Sequence, residues 1–158
     1  KTAVHSDMIM WNMEASVENA ALQFTSILYT VPQVSVRVDK LPEDHYKMLK
    51  FYLSFWRKYR ETLLDGKLTA SSPECEYSLV CSTLGDTSVY TSYSDTVIPV
   101  KTKETVAVNA SAKKSLIIKD GEGKEYTVLN CLGDEIEKGV IISPLQEINI
   151  PTAGMVIL

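Results

Sequence analysis

The residues that could do chemistry sit almost at the start of the sequence. In Thr2-Ala3-Val4-His5-Ser6-Asp7-Met8-Ile9-Met10-Trp11-Asn12 a polar trio interrupts an apolar run, and a tryptophan and an asparagine follow it. An acid at the end of a barrel strand with an indole beside it suits a sugar-cleaving site, because the carboxyl shuttles a proton while the ring stacks on a pyranose. Asp7 can equally serve structure, capping or hydrogen-bonding a turn before the next helix. His5, two residues earlier, points to the same side as Asp7 if the strand is regular, and so reaches the same pocket. Its alternative is an imidazole held by a backbone carbonyl. Trp11 follows the strand end, where it either lines a sugar pocket or covers the rim.

Stepping outward from these residues, positions 2–10 form a short apolar strand ended by Asn12. From 13 to 29, Val17, Ala20, Ala21, Phe24, Ile27 and Leu28 recur at three- and four-residue spacing, which predicts a helix with one inward face, capped by Asn12 or Ser16. Residues 31–38 are rich in β-branched side chains and alternate after Pro32, as a strand does. Pro42, Glu43 and Asp44 then signal a helix start. That helix runs to about Leu64, with Gly66 as its stop. Its aromatic stripe, which includes Phe51, Tyr52, Phe55, Trp56 and Tyr59, has the spacing of core packing. Strand, helix, strand, helix is the order found at the tail of a (β/α) barrel.

Beyond Gly66 the helical period disappears. Residues 66–73 read as a connector, followed by β-prone runs at 76–83, 87–93, 96–100, 105–110, 115–119, 125–130, 139–143, 147–150 and 155–158. Leu84-Gly85-Asp86 and the 120–124 stretch with Gly121 and Gly123 read as hairpin turns between neighbouring runs. The expected fold class is therefore α/β plus all-β: residues 1–65 as the C-terminal segment of a (β/α)8 catalytic barrel, and 66–158 as an antiparallel β-sandwich accessory domain. Tyr77, Tyr90, Tyr93 and Tyr126 could stack on sugars, but tyrosines are ordinary on pleated sheets.

His5 to Trp11, then Ser16-Val17-Glu18-Asn19-Ala20-Ala21-Leu22-Gln23, Val31-Pro32-Gln33-Val34-Ser35-Val36, and the run from Phe51 to Gly66 together resemble the C-terminal part of a melibiase-type glycoside hydrolase. This is the α-galactosidase family of clan D, glycoside hydrolase family 36 and its relatives. The resemblance covers about the first 66 residues and implies a retaining enzyme that cleaves terminal α-linked sugars. Its Ser-Asp pair at the end of a late barrel strand supplies the general acid/base, which falls on Asp7; His5 and Trp11 become substrate-binding candidates. The family's nucleophile lies upstream, so the implied partners are an oligosaccharide or α-glycoside substrate and the remainder of the catalytic barrel. Met10 stands where the family carries a second Asp, which leaves galactose and glucose both open. The contrasting reading is a non-catalytic α+β carbohydrate-binding or structural domain.

Composition narrows the remaining classes. The chain has 158 residues, 45% hydrophobic and 23% charged, within the range of globular proteins. A start at Lys1 without Met, inside an apolar run, suggests a start in mid-protein. No signal-peptide pattern and no long apolar span argue for a membrane. The net charge of −4 disfavours a nucleic-acid surface. Arg57-Lys58-Tyr59-Arg60, the one basic cluster, reads as a solvated helix face. Cys75, Cys81 and Cys131 lack paired spacing, and a Cys75–Cys81 or Cys81–Cys131 bridge is disfavoured. His5 and His45 are too few and too far apart for a metal site, and no cofactor is implied. Asn109-Ala110-Ser111 matches a glycosylation acceptor, a pattern frequent by chance.

Overall fold

The computed structural model describes residues 4–71 and 73–158; residues 1–3 of the expected first strand and Ser72 of the expected connector lie outside the described residues. The chain opens with a parallel β–α–β unit. Strand β1 (His5–Ile9) pairs with β2 (Val31–Val34) across helix α1 (Val17–Thr25). Helix α1 starts where Ser16 leaves helical geometry and its hydroxyl accepts the Asn19 N–H at 3.3 Å, satisfying one of the orphan donors of the first turn. A single 3₁₀ turn at Val38–Lys40 leads to helix α2 (Glu43–Asp65), with Glu43 and Asp44 at its positive end.

The buried residues of α2 are His45, Met48, Leu49, Tyr52, Phe55, Trp56, Tyr59, Thr62 and Leu63, a stripe of threes and fours. Phe24 and Leu28 from the α1 side, with Met48 and Tyr52, are wholly buried. Each such side chain stabilises the fold by about 1.5–3 kcal/mol relative to exposure. Gly66 ends α2 in an extended conformation (φ −64°), so it is not a left-handed cap. Its requirement for glycine is close approach, since a Cβ there would collide with the Thr62 carbonyl and the Ser82 hydroxyl.

Ten further strands follow: β3 (Lys67–Ser71), β4 (Leu79–Leu84), β5 (Thr87–Ser92), β6 (Val97–Pro99), β7 (Glu104–Asn109), β8 (Ser115–Lys119), β9 (Glu125–Leu129), β10 (Glu135–Val140), β11 (Leu145–Asn149) and β12 (Met155–Ile157). They build a seven-stranded sheet in the order β10-β9-β12-β7-β5-β4-β3 and a three-stranded sheet in the order β11-β8-β6. One face of the larger sheet packs on the helices, where Val89, Val106, Val108 and Met155 join α1 and α2 in a single apolar core that also includes Ile9. Its other face packs on the smaller sheet, with Tyr90, Ala107, Val128 and Val156 against Ile98, Leu116, Ile118 and Ile148. The Tyr52 hydroxyl crosses to donate to the Ala153 carbonyl at 2.5 Å. Trp56 Nε1 donates to the Thr30 carbonyl at 2.9 Å.

This architecture corrects the expected fold class. Among the described residues there are twelve strands in three sheets and two α-helices, a small β-rich domain and not a (β/α)8 barrel tail followed by an antiparallel sandwich. After α2 the chain does not return to a third parallel strand beside β2. It enters β3, inside the stretch expected to be a connector, and forms the edge of the seven-stranded sheet. From β5 onward it then passes repeatedly between the two facing sheets. Because β6 lies in the small sheet, β5 and β7 meet in parallel; because β7 lies in the large one, β6 and β8 do so too. Gly85 does close a β4–β5 hairpin, at φ +54°. The glycine turn at 120–124, expected to close another, instead carries the chain from β8 in one sheet to β9 in the other.

Candidate functional site

Strand β1 does not alternate regularly. His5 faces Val31 and Met8 faces Gln33, so three steps on β1 match two on β2, the mark of one extra residue. Within that bulge Ser6 turns inward and its hydroxyl accepts the Gln33 N–H at 2.9 Å, standing in for a missing ladder acceptor. Asp7 and Met8 both turn outward, and one carboxylate oxygen of Asp7 accepts the Met8 N–H at 2.8 Å. His5 and Asp7 are thus both exposed, on a strand whose inner positions are Ser6 and Ile9. The irregularity is what presents an acid at that point, since bulges re-aim side chains. Around it the surface is apolar: Val4, Met8 and Met10 are 64%, 63% and 65% exposed. Parallel strands are ordinarily covered on both faces. Here the helices cover one.

Trp11 is placed differently from the other two. It lies past the end of β1, half-buried, with its indole N–H donating to Nδ1 of His45 at 3.0 Å. The two rings are tilted by 48° at a centroid separation of 6.5 Å. The structure therefore brings His5 and Asp7 together on one strand and ties Trp11 to the first turn of α2. His45 was absent from the candidates of the sequence. Its signal is its spacing, since His45, Met48, Leu49 and Tyr52 fall on one helical face, which made it a buried residue needing a partner.

The other reactive groups are accounted for structurally. A cleft of about 840 Å³ lies by the last turns of α2, lined by Arg57, Lys58, Arg60, Thr87 and Glu104 among others. Within it Glu104 Oε1 accepts from the Tyr59 hydroxyl at 2.6 Å and from Lys58 Nζ at 3.2 Å. The Tyr59 hydrogen bond first, and Lys58 second, hold the Glu104 carboxyl below its ordinary value, so it is a poor proton donor. A second cleft, of about 540 Å³, runs between Val4, Tyr29 and the end of α2. Asp7 lines neither.

All three cysteines are free. Burial pushes the Cys131 thiol up to about 11, which removes it as a nucleophile near neutrality. Asn109 is wholly buried, its amide donating to the carbonyls of Lys113 at 2.6 Å and Ile150 at 2.8 Å, so it organises a loop and offers no glycosylation surface. Tyr77 is exposed, Tyr93 half-buried, and Tyr90 and Tyr126 buried, which makes no flat row for stacking. Among the described residues no group of three or more His, Cys, Asp or Glu is placed to hold a metal ion, and no helix is long and apolar enough to cross a membrane. Comparison with protein-family models, with curated proteins and with solved structures finds no match to this chain.

Proposed function

We propose that this chain is the C-terminal portion of a retaining glycoside hydrolase resembling α-galactosidases, acting on terminal α-linked sugars with Asp7 as general acid/base. The observation that carries the reading is the β1 bulge, which turns an acid outward on a strand face left bare of cover. In the mechanism two carboxyl groups lie about 5–5.5 Å apart: one attacks the anomeric carbon, and the other protonates the leaving oxygen and later deprotonates water. Asp7 is assigned the second role. The attacking carboxylate comes from a segment upstream of this one, which also covers Val4, Met8 and Met10 and gives Asp7 the low-polarity setting that a proton donor needs. His5 and Trp11 contact the sugar, the first by hydrogen bonding and the second by stacking. The portion described here, lacking a nucleophile, is inactive alone.

A second reading has its own observation. The Asp7 carboxylate accepts its neighbour's N–H while Ser6 completes the ladder, so the pair can serve only to stabilise the bulge in a non-catalytic carbohydrate-binding or structural domain. Hydrolysis of a panel of aryl α- and β-glycosides by the protein with its upstream segment separates the two. Cleavage of one α-glycoside with retention of configuration is the expected result. No cleavage, with or without saturable sugar binding by the 158-residue chain, overturns it in favour of the second reading.

A further inference from the structure

The bond between Trp11 and His45 has a chemical condition attached to it. An indole N–H can only donate, so the His45 Nδ1 that receives it at 3.0 Å must carry no proton. The ring's single proton is then on Nε2, which lies 3.1 Å from the Ala15 carbonyl and donates to it. His45 is 2% exposed. Only the neutral Nε2–H form completes both bonds. A second proton, taken from solvent, goes to Nδ1 and sets two donors head to head.

We infer that His45 is a proton-operated latch: neutral, it holds Trp11 against the first turn of α2; protonated, it releases Trp11 and the segment that leads from β1 into α1. The ring joins three pieces of chain. Trp11 is two residues beyond β1, Ala15 sits in the turn closed by its N–H to the Asn12 carbonyl at 3.1 Å, and His45 belongs to α2. Losing the Nδ1 bond frees the indole. Turning the ring to relieve the clash breaks the Ala15 bond as well.

Charged groups stand on each of the elements that meet the ring. On its own helix Glu43 and Asp44 stand in the first turn, and Asp44 Oδ1 accepts the His45 backbone N–H at 2.8 Å. Lys47, two residues beyond His45, pairs with Asp134 from the turn after β9 at 2.6 Å. Glu14 precedes α1 and Glu18 lies in its first turn. The nearby Cys131 feels Glu18, Asp44 and Asp134 together.

That releasing Trp11 alters sugar binding rests on the reading of the β1 face as a glycosidase site; the latch itself does not. The test is a titration of the ¹⁵N-labelled chain from about pH 8 to about pH 4, following the indole N–H resonances of Trp11 and Trp56. The expected result is a single transition in the Trp11 resonance that matches the titration of the His45 ring carbon and is lost in His45→Gln. Trp56, bound to the Thr30 carbonyl, shows no such transition. A Trp11 resonance that stays fixed down to acid unfolding, or that still titrates in His45→Gln, overturns the latch. If His45→Gln does not fold, Trp11→Phe serves: with the indole donor gone from Nδ1 the His45 ring signals titrate differently from the wild type, and an unchanged titration overturns the inference. A latch without glycoside cleavage leaves the switch standing and removes only the proposed enzyme.

Discussion

Strands β7 and β1 both contribute to the core around α2, yet β7 is covered on two faces and β1 on one. In β7 five consecutive residues, Thr105, Val106, Ala107, Val108 and Asn109, are buried, because the helices lie on one side and the three-stranded sheet on the other. In β1 only Ser6 and Ile9 are buried, and the outward positions are taken by His5, Asp7 and Met8. The buried run of β7, in the middle of a three-layer stack, carries no titratable side chain, and the strand's one acid, Glu104, stands at its half-buried first position. The bulged strand at the margin presents an acid, Asp7, in mid-strand.

This difference has a thermodynamic form. Met155 on β12 is wholly buried between α2 and the sheet, whereas Met8 is mostly exposed. Met155→Ala is expected to destabilise the chain by about 2–5 kcal/mol in urea unfolding, through lost burial and the cavity left behind. Met8→Ala is expected to cost about 0.5 kcal/mol or less. Equal costs would mean that the outer face of β1 is already covered, and the comparison would fail.

A smaller effect sharpens the same contrast. Tyr52→Phe keeps the ring but removes the donor to the Ala153 carbonyl, leaving that acceptor without its side-chain partner inside the stack. The expected loss is about 1–3 kcal/mol, read from the same unfolding curves. A neutral result would show that the Ala153 turn finds another donor.

The smallest expected change lies at the exposed end of α2. Glu104 is held below its ordinary value by Tyr59 and then Lys58, so its contribution is present above the unfolded-state value and is lost as pH falls through the folded one. Acidification below about pH 4.5 should therefore erode the wild type slightly more than Glu104→Gln. The pair is largely solvated, and the difference will be modest. Parallel curves would remove Glu104 from the account of acid stability.

Local structure was readable from spacing where one face of an element meets a core. The three- and four-residue spacing from Val17 to Leu28 and from Leu49 to Leu63 located both helices, and β8 falls on its expected residues, because these patterns report burial directly. What spacing does not report is which strand lies beside which. Gly121 and Gly123 look the same in a hairpin as in a passage between facing sheets, so the change of sheet after β8 was not legible, nor was the parallel pairing of β5 with β7. Lys67–Ser71, exposed throughout and with Leu68 as its one large apolar residue, looked like a connector because an edge strand is held by its backbone. At the candidate site Asp7 and His5 were legible by residue type. The bulge that exposes Asp7 was not, since it depends on the register with β2, and the partner of Trp11 lies 34 residues away.

The most direct measurement is the turnover of an aryl α-glycoside by the chain joined to the upstream segment that the proposal assigns to it, beside Asp7→Asn, with the melting temperature of each. The account predicts a loss of about 10²–10⁴-fold in kcat at unchanged melting temperature, as expected for removal of a general acid/base from a position outside the core of this chain. Full activity in Asp7→Asn would contradict it. So would a variant that loses activity only because it no longer folds, since Asp7 would then belong to the bulge and not to the chemistry.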